Sequence, residues 1–91
     1  MVEVRVIALE DDVYRVRVRD SDGSSEHRVT ATADQVERFG AGATPETLIE
    51  ESFRFLLERE PKESILGRFE LPVIARYFPD YPEEIRRRLE A

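Results

Sequence analysis

Two hydrophobic periodicities divide the chain. Over residues 1–33, apolar and polar residues alternate in three segments that are separated by runs of turn-forming residues. A period of two residues is typical of half-buried β-strands, and short polar turns favour antiparallel pairing of consecutive strands. The predicted strands are residues 1–9, 13–19 and 27–33. The pattern therefore predicts a three-stranded antiparallel meander with one apolar face.

The period changes to that of an α-helix over residues 44–60. Apolar residues recur there at spacings of three and four, while charged residues occupy the opposite arc. Thr44 is a good N-cap, Pro45 suits the first helical position, and Pro61 forces the end of the helix. This central helix needs an apolar surface to pack on, and the apolar face of the meander supplies one.

Shorter helical segments are predicted around the central helix. Residues 34–43 are expected to form a short helical turn and a linker, and residues 61–91 a series of short helices punctuated by proline. We therefore expect a single domain over residues 1–91 of the α+β class. It would comprise a three-stranded antiparallel β-meander packed on a central amphipathic helix, with short C-terminal helices closing the core.

Composition narrows the class of protein. The 91 residues are 41% apolar and 37% charged, as expected of a soluble globular domain. The absence of cysteine excludes disulfides and thiolate metal sites. The first twenty residues lack the apolar run of a signal peptide, and no run is long enough to cross a membrane. A cytoplasmic location without membrane contact is therefore the expectation.

The polar face of the predicted meander is the first candidate binding surface. Arg15, Arg17 and Arg19 alternate along the second strand, and Arg28 lies on the third. Such a face can bind an acidic protein surface or nucleic-acid phosphates, although alternating arginines paired with acids are also typical of a solvated sheet face. The net charge of −6, and the lack of an aromatic residue interleaved with the arginines, disfavour nucleic acid.

The aromatic residues near the C terminus are the second candidate. Tyr77, Phe78 and Tyr81 lie close together in the sequence, beside Pro79 and Pro82. Aromatic residues are enriched in protein interfaces, so the cluster could form a groove for a partner. Packing of the C-terminal helices onto the central helix is the simpler interpretation.

Signals for catalysis or metal binding are weak. His27, the only histidine, lacks a second histidine or a cysteine for a metal site, and it would act as a general base only if a carboxylate oriented it. Residues 20–26 are acidic like a calcium loop, but the glycine comes fourth and the flanking segments are strands, so the run predicts a turn. We therefore expect no catalysis, no metal and no cofactor.

Four segments resemble a group of small uncharacterised bacterial proteins. They are residues 14–18, 27–30, 52–66 and 77–79. The third segment, which includes the end of the central helix, is the most specific. The resemblance covers the chain from about Tyr14 onward and implies a bacterial origin. It implies no activity, and so transfers no functional residue.

Together these patterns predict a small cytoplasmic protein-interaction or regulatory module. A protein partner is expected, or self-association as a homodimer through a strand edge or the polar sheet face. The alternative is a nucleic-acid-binding accessory protein that uses the arginines of the sheet. An enzyme ranks third.

Overall fold

A computed structural model describes residues 1–90 and confirms the α+β class. Over these residues it contains one four-stranded sheet and four α-helices. The strands are β1 (Glu3–Glu10), β2 (Val13–Asp20), β3 (Gly23–Thr30) and β4 (Arg68–Glu70); the helices are α1 (Ala33–Gly40), α2 (Pro45–Leu57), α3 (Val73–Tyr77) and α4 (Tyr81–Glu90), with one 3₁₀ turn at Lys62–Ser64.

The sheet has one strand more than the sequence predicts. Its order is β1-β2-β3-β4, and the first three strands form the expected antiparallel meander. β4 pairs in parallel with β3, so that Phe69 lies beside Val29. The prediction of three strands was incomplete because a three-residue strand shows no periodicity, and its partner lies about 40 residues earlier in the chain.

β3 also begins earlier than predicted. Polar residues 24–26, which the sequence assigns to a turn, pair with β2, and Glu26 lies opposite Arg17. The turn is short because Gly23 adopts a φ of 133°, which only glycine tolerates without strain. As a result, an acidic side chain joins the polar face of the sheet.

Helix α2 packs on the inner face of the sheet. The Thr44 hydroxyl accepts a hydrogen bond from the backbone N–H of Thr47 at 3.2 Å, which confirms the expected cap, and Pro45 is the first helical residue. Leu48, Ile49 and Phe53 on this helix are fully buried. Helices α1 and α4 pack against α2 and against each other. The core therefore lies between the sheet and the helices.

The opposite side of the sheet, which we call the outer face, is open. No side chain on it is buried, and no element within residues 1–90 covers it. None of the helices in this part of the chain is long and apolar enough to cross a membrane.

Candidate functional site

The outer face brings six arginines together on neighbouring strands. The four predicted arginines all lie there, and β1 and β4 each add one. We call this surface the arginine face; its arginines are Arg5, Arg15, Arg17, Arg19, Arg28 and Arg68, and its acids are Glu3, Glu10, Glu26 and Glu70. The surface is thus net positive in a chain whose net charge is −6.

Three of the arginines form a row across the sheet. In the strand register Arg15 lies opposite Arg28, and Arg28 lies opposite Arg68. Adjacent strands are about 4.8 Å apart, so three positive side chains leave the sheet as direct neighbours. Like charges in directly opposite positions destabilise a sheet. The row therefore needs an explanation other than the stability of the isolated chain.

The acids of the arginine face compensate only part of its positive charge. Glu26 lies 3.2 Å from Arg17 and 3.9 Å from Arg15. Glu3 lies 3.4 Å from Arg5, and the side chains of Glu3, Arg5, Arg17 and Glu26 are all more than half exposed to solvent. Within residues 1–90, no carboxylate oxygen lies within 4.0 Å of the three remaining arginines, which are Arg19, Arg28 and Arg68. These three side chains are available to an acidic ligand.

Arg68 could not be identified as a site residue from the sequence. Its place in the row depends on β4, and the only local signal is the polar-apolar-polar pattern of residues 68–70 after Gly67. A pattern of three residues occurs by chance too often to predict a strand.

The structure separates the three C-terminal aromatic residues. Tyr77 is 67% exposed, whereas Tyr81 is fully buried. Phe78 is half-buried, and its ring lies nearly perpendicular to the Phe55 ring at a centroid distance of 5.9 Å. Only Tyr77 of the three therefore offers a large accessible surface to a partner.

Tyr81 belongs to a buried hydrogen-bond chain. Its hydroxyl lies 2.7 Å from Ser52 Oγ, and the Ser52 hydroxyl lies 2.7 Å from the carbonyl oxygen of Leu48. Because the carbonyl can only accept, Ser52 donates to Leu48 and Tyr81 donates to Ser52. Burial raises the pKa of the Tyr81 phenol, which keeps this donor protonated. The residue joins α4 to α2.

A shallow groove runs beside Tyr77. Leu56, Ile65, Phe69 and Ile74 contribute to its walls, and its accessible volume is about 30 Å³. Clefts for drug-sized ligands hold roughly 300–1,000 Å³, so this groove suits one or two water molecules rather than a cofactor.

His27 contacts no carboxylate. It is buried, its Nδ1 lies 2.8 Å from the carbonyl oxygen of Leu66, and its Nε2 lies 2.8 Å from Ser25 Oγ. Nδ1 must donate to the carbonyl, so in the neutral ring Nε2 accepts from the Ser25 hydroxyl. Within residues 1–90, no acidic oxygen lies within 4.0 Å of the ring nitrogens. The contact with Leu66 fastens the loop before β4 to β3.

A buried lysine fastens the same loop at another point. Lys62 is 3% exposed, and its Nζ lies 2.9 Å from Asp20 Oδ1 and 2.7 Å from Glu63 Oε2. Hydrogen bonds from the ammonium hold the pKa of both carboxyls below their usual range, and the two acids raise the pKa of Lys62. The sequence gives no sign of this contact, because Asp20 and Lys62 are 42 residues apart.

No metal-binding cluster is found in the described part of the chain, where three or more potential ligands nowhere come together. Comparisons with known proteins do not assign the chain to a family: no family model, no curated protein and no solved structure matches it. The relationship to small bacterial proteins stays a prediction.

Proposed function

We propose that the chain is a non-catalytic protein-interaction module whose arginine face binds an acidic surface of a partner protein. The observation that supports this function most directly is the row formed by Arg15, Arg28 and Arg68. Its mutual repulsion is unfavourable in the isolated chain, and a carboxylate-bearing partner would remove it.

The surroundings of the row suit a protein partner better than a phosphate backbone. Ile7 lies opposite Arg15 at one end of the row and is 44% exposed, and Val13 lies half-buried nearby. Arginine beside exposed apolar side chains is typical of the centre of a protein interface. Glu10 lies near Arg28 and Arg68 and interrupts the positive charge there, whereas binding of a phosphate backbone depends on clustered positive charge.

The test removes the arginines that have no acidic partner, so that no ion pair of the fold is lost. The variant Arg19→Glu/Arg28→Glu/Arg68→Glu is compared with the control Arg38→Glu/Arg76→Glu/Arg86→Glu, which changes three exposed arginines in helices and has the same net charge. Each is used as bait in cells of the source organism, with nuclease treatment and quantitative mass spectrometry.

We expect the wild-type chain and the control to retain one stoichiometric acidic protein after nuclease treatment, and the sheet variant to lose it. The affinity of the purified pair, measured by calorimetry, should fall by about tenfold or more for the sheet variant. Equal binding by the two triple variants would contradict the proposed function.

The alternative function is nucleic-acid binding by the same face, which the alignment of three cationic side chains across β2, β3 and β4 favours. It predicts that the logarithm of the binding constant falls with the logarithm of salt concentration by about 0.9 per neutralised phosphate. Fluorescence anisotropy with labelled duplex and single strands measures this slope. Binding that is absent, or that survives in the sheet variant, excludes the alternative.

A further inference from the structure

Strand β1 has an open edge. Its only neighbour in the sheet is β2, so the backbone N–H and C=O groups along its other edge have no strand partner within residues 1–90. Proteins usually protect such an edge with charged side chains, with proline, with a bulge or with a covering element, and the charges on β1 are Glu3, Arg5 and Glu10. β1 contains no proline, and its irregularity is confined to the end between Ala8 and Glu10. The stretch before that point is regular and free to pair.

The side chains of this stretch match those of a second copy. We propose that two chains form a symmetric dimer in which their β1 strands pair antiparallel, with the two-fold axis at Val4. Glu3 of each copy then lies opposite Arg5 of the other, on the outer face. Val2 lies opposite Val6 on the inner face. In the paired stretch, charged residues thus lie opposite residues of the opposite charge, and apolar residues lie opposite apolar residues.

Other registers that keep the inner and outer faces aligned are less favourable. Centring the axis on Glu3 or on Arg5 places two like charges directly opposite each other. Centring it on Val6 places Glu3 opposite Leu9 and Arg5 opposite Ile7, so no charge is paired across the dimer. A shift by one residue would place the inner face of one sheet beside the outer face of the other, so the apolar faces would no longer align. Of the registers centred on residues 3–6, only the one centred on Val4 pairs each charge with the opposite charge.

Contacts within one copy favour the same register. Arg5 lies directly opposite Arg17 in β2, which is a like-charge pair, and its only acid within 4.0 Å in residues 1–90 is Glu3 of its own strand. A second Glu3, on the partner copy, would supply the missing negative charge. Val2 is 36% exposed, and pairing with Val6 of the partner would cover it.

The proposed dimer goes beyond the proposed function and does not depend on it. The triple variant of the arginine face leaves Glu3 and Arg5 unchanged, and the dimer needs no other protein. The oligomeric state is therefore measured on the chain alone.

The test reverses the charge of Glu3 in one variant and that of Arg5 in another. Glu3→Arg and Arg5→Glu are made separately, and Glu83→Arg, which changes an exposed acid on α4, is the matched control. Glu3 and Arg5 have side chains that are 53% and 67% exposed, so both variants are expected to fold, which circular dichroism checks. Sedimentation velocity gives the dimer dissociation constant of each chain.

We expect the wild-type chain and the control to dimerise equally. Each charge reversal should weaken the dimer by about tenfold, because both pairs between residues 3 and 5 of the two copies become repulsive. Mixing the Glu3→Arg and Arg5→Glu chains restores pairs of opposite charge, and native mass spectrometry should show a mixed dimer as stable as that of the wild type. A wild-type chain that stays monomeric at the highest attainable concentration would overturn the proposal. A dimer that neither charge reversal weakens, or a failure of the two variant chains to form a mixed dimer, would overturn it too.

Discussion

Replacing Arg28 by an acid should make the isolated chain more stable. Arg28 lies between Arg15 and Arg68 in the strand register, and no carboxylate within residues 1–90 comes within 4.0 Å of it. Arg28→Glu converts two unfavourable lateral pairs into two favourable ones. Most substitutions on a protein surface are neutral or slightly destabilising, so a gain here is a specific consequence of the row.

The expected gain in the free energy of unfolding follows from the contribution of one cross-strand charge pair, which is about 0.2–1 kcal/mol. Solvent screens an exposed face, and Glu10 and Glu26 repel a new acid, so the lower part of this range applies. We expect an increase of about 0.5–1 kcal/mol in the free energy of unfolding. For a chain of this length that corresponds to a rise in Tm of about 2–8 °C.

Urea denaturation and calorimetry at low salt measure the gain. Arg28→Gln removes the repulsion without adding attraction, so it should give a smaller increase than Arg28→Glu. Both increases should shrink at high salt, because the Debye length falls to about 3 Å at 1 M. A stability of Arg28→Glu that is equal to or lower than that of the wild type at low salt would refute the reasoning about the row.

Two further predictions concern the core and the loop before β4. Tyr81→Phe should lower the free energy of unfolding by about 1 kcal/mol in urea denaturation, because it removes the donor to Ser52; no measurable loss would contradict the hydrogen-bond chain. Because the pKa values of Asp20 and Glu63 are lowered, the stabilisation from their contacts with Lys62 is present above about pH 4 and is lost as the pH falls through their lowered values. The pKa of Lys62 is raised, so its contribution is complete below about pH 10.4 and is lost as the pH rises through the raised value. Lys62→Met should flatten both limbs of a plot of Tm against pH, and limbs as steep as those of the wild type would contradict this.

Local periodicity is sufficient to predict the meander and the central helix. The alternation along β2 identifies both its buried face and its arginines, because side chains on a strand alternate strictly between faces. For α2, Thr44 and Pro45 mark the start correctly. The end is less accurate: the helix stops at Leu57 rather than at residue 60, and a turn over residues 58–60 leads to Pro61.

The features that sequence reasoning missed all depend on distant partners. β4 is a strand only because β3 lies beside it, and Arg68 joins the row for the same reason. A lysine such as Lys62 is normally expected to be exposed to solvent. It is buried here because Asp20, 42 residues earlier in the chain, accepts hydrogen bonds from its ammonium group. Tyr81 is fully buried, and its hydrogen bond with Ser52, 29 residues earlier in the chain, has no signal in the sequence.

The attachment of residues 62–70 to the meander has a consequence for the order of folding. The contacts of Lys62 with Asp20 and of His27 with Leu66 close loops of about 40 residues, whereas the hairpins of the meander close loops of a few. Long loops are entropically costly to close, so we expect this segment to dock last and to open first in the native state. Because β4 carries Arg68, each opening also takes one arginine out of the row. A partner that contacts the whole row would therefore slow hydrogen exchange most in the segment that folds last, and recognition would complete the folding of the chain.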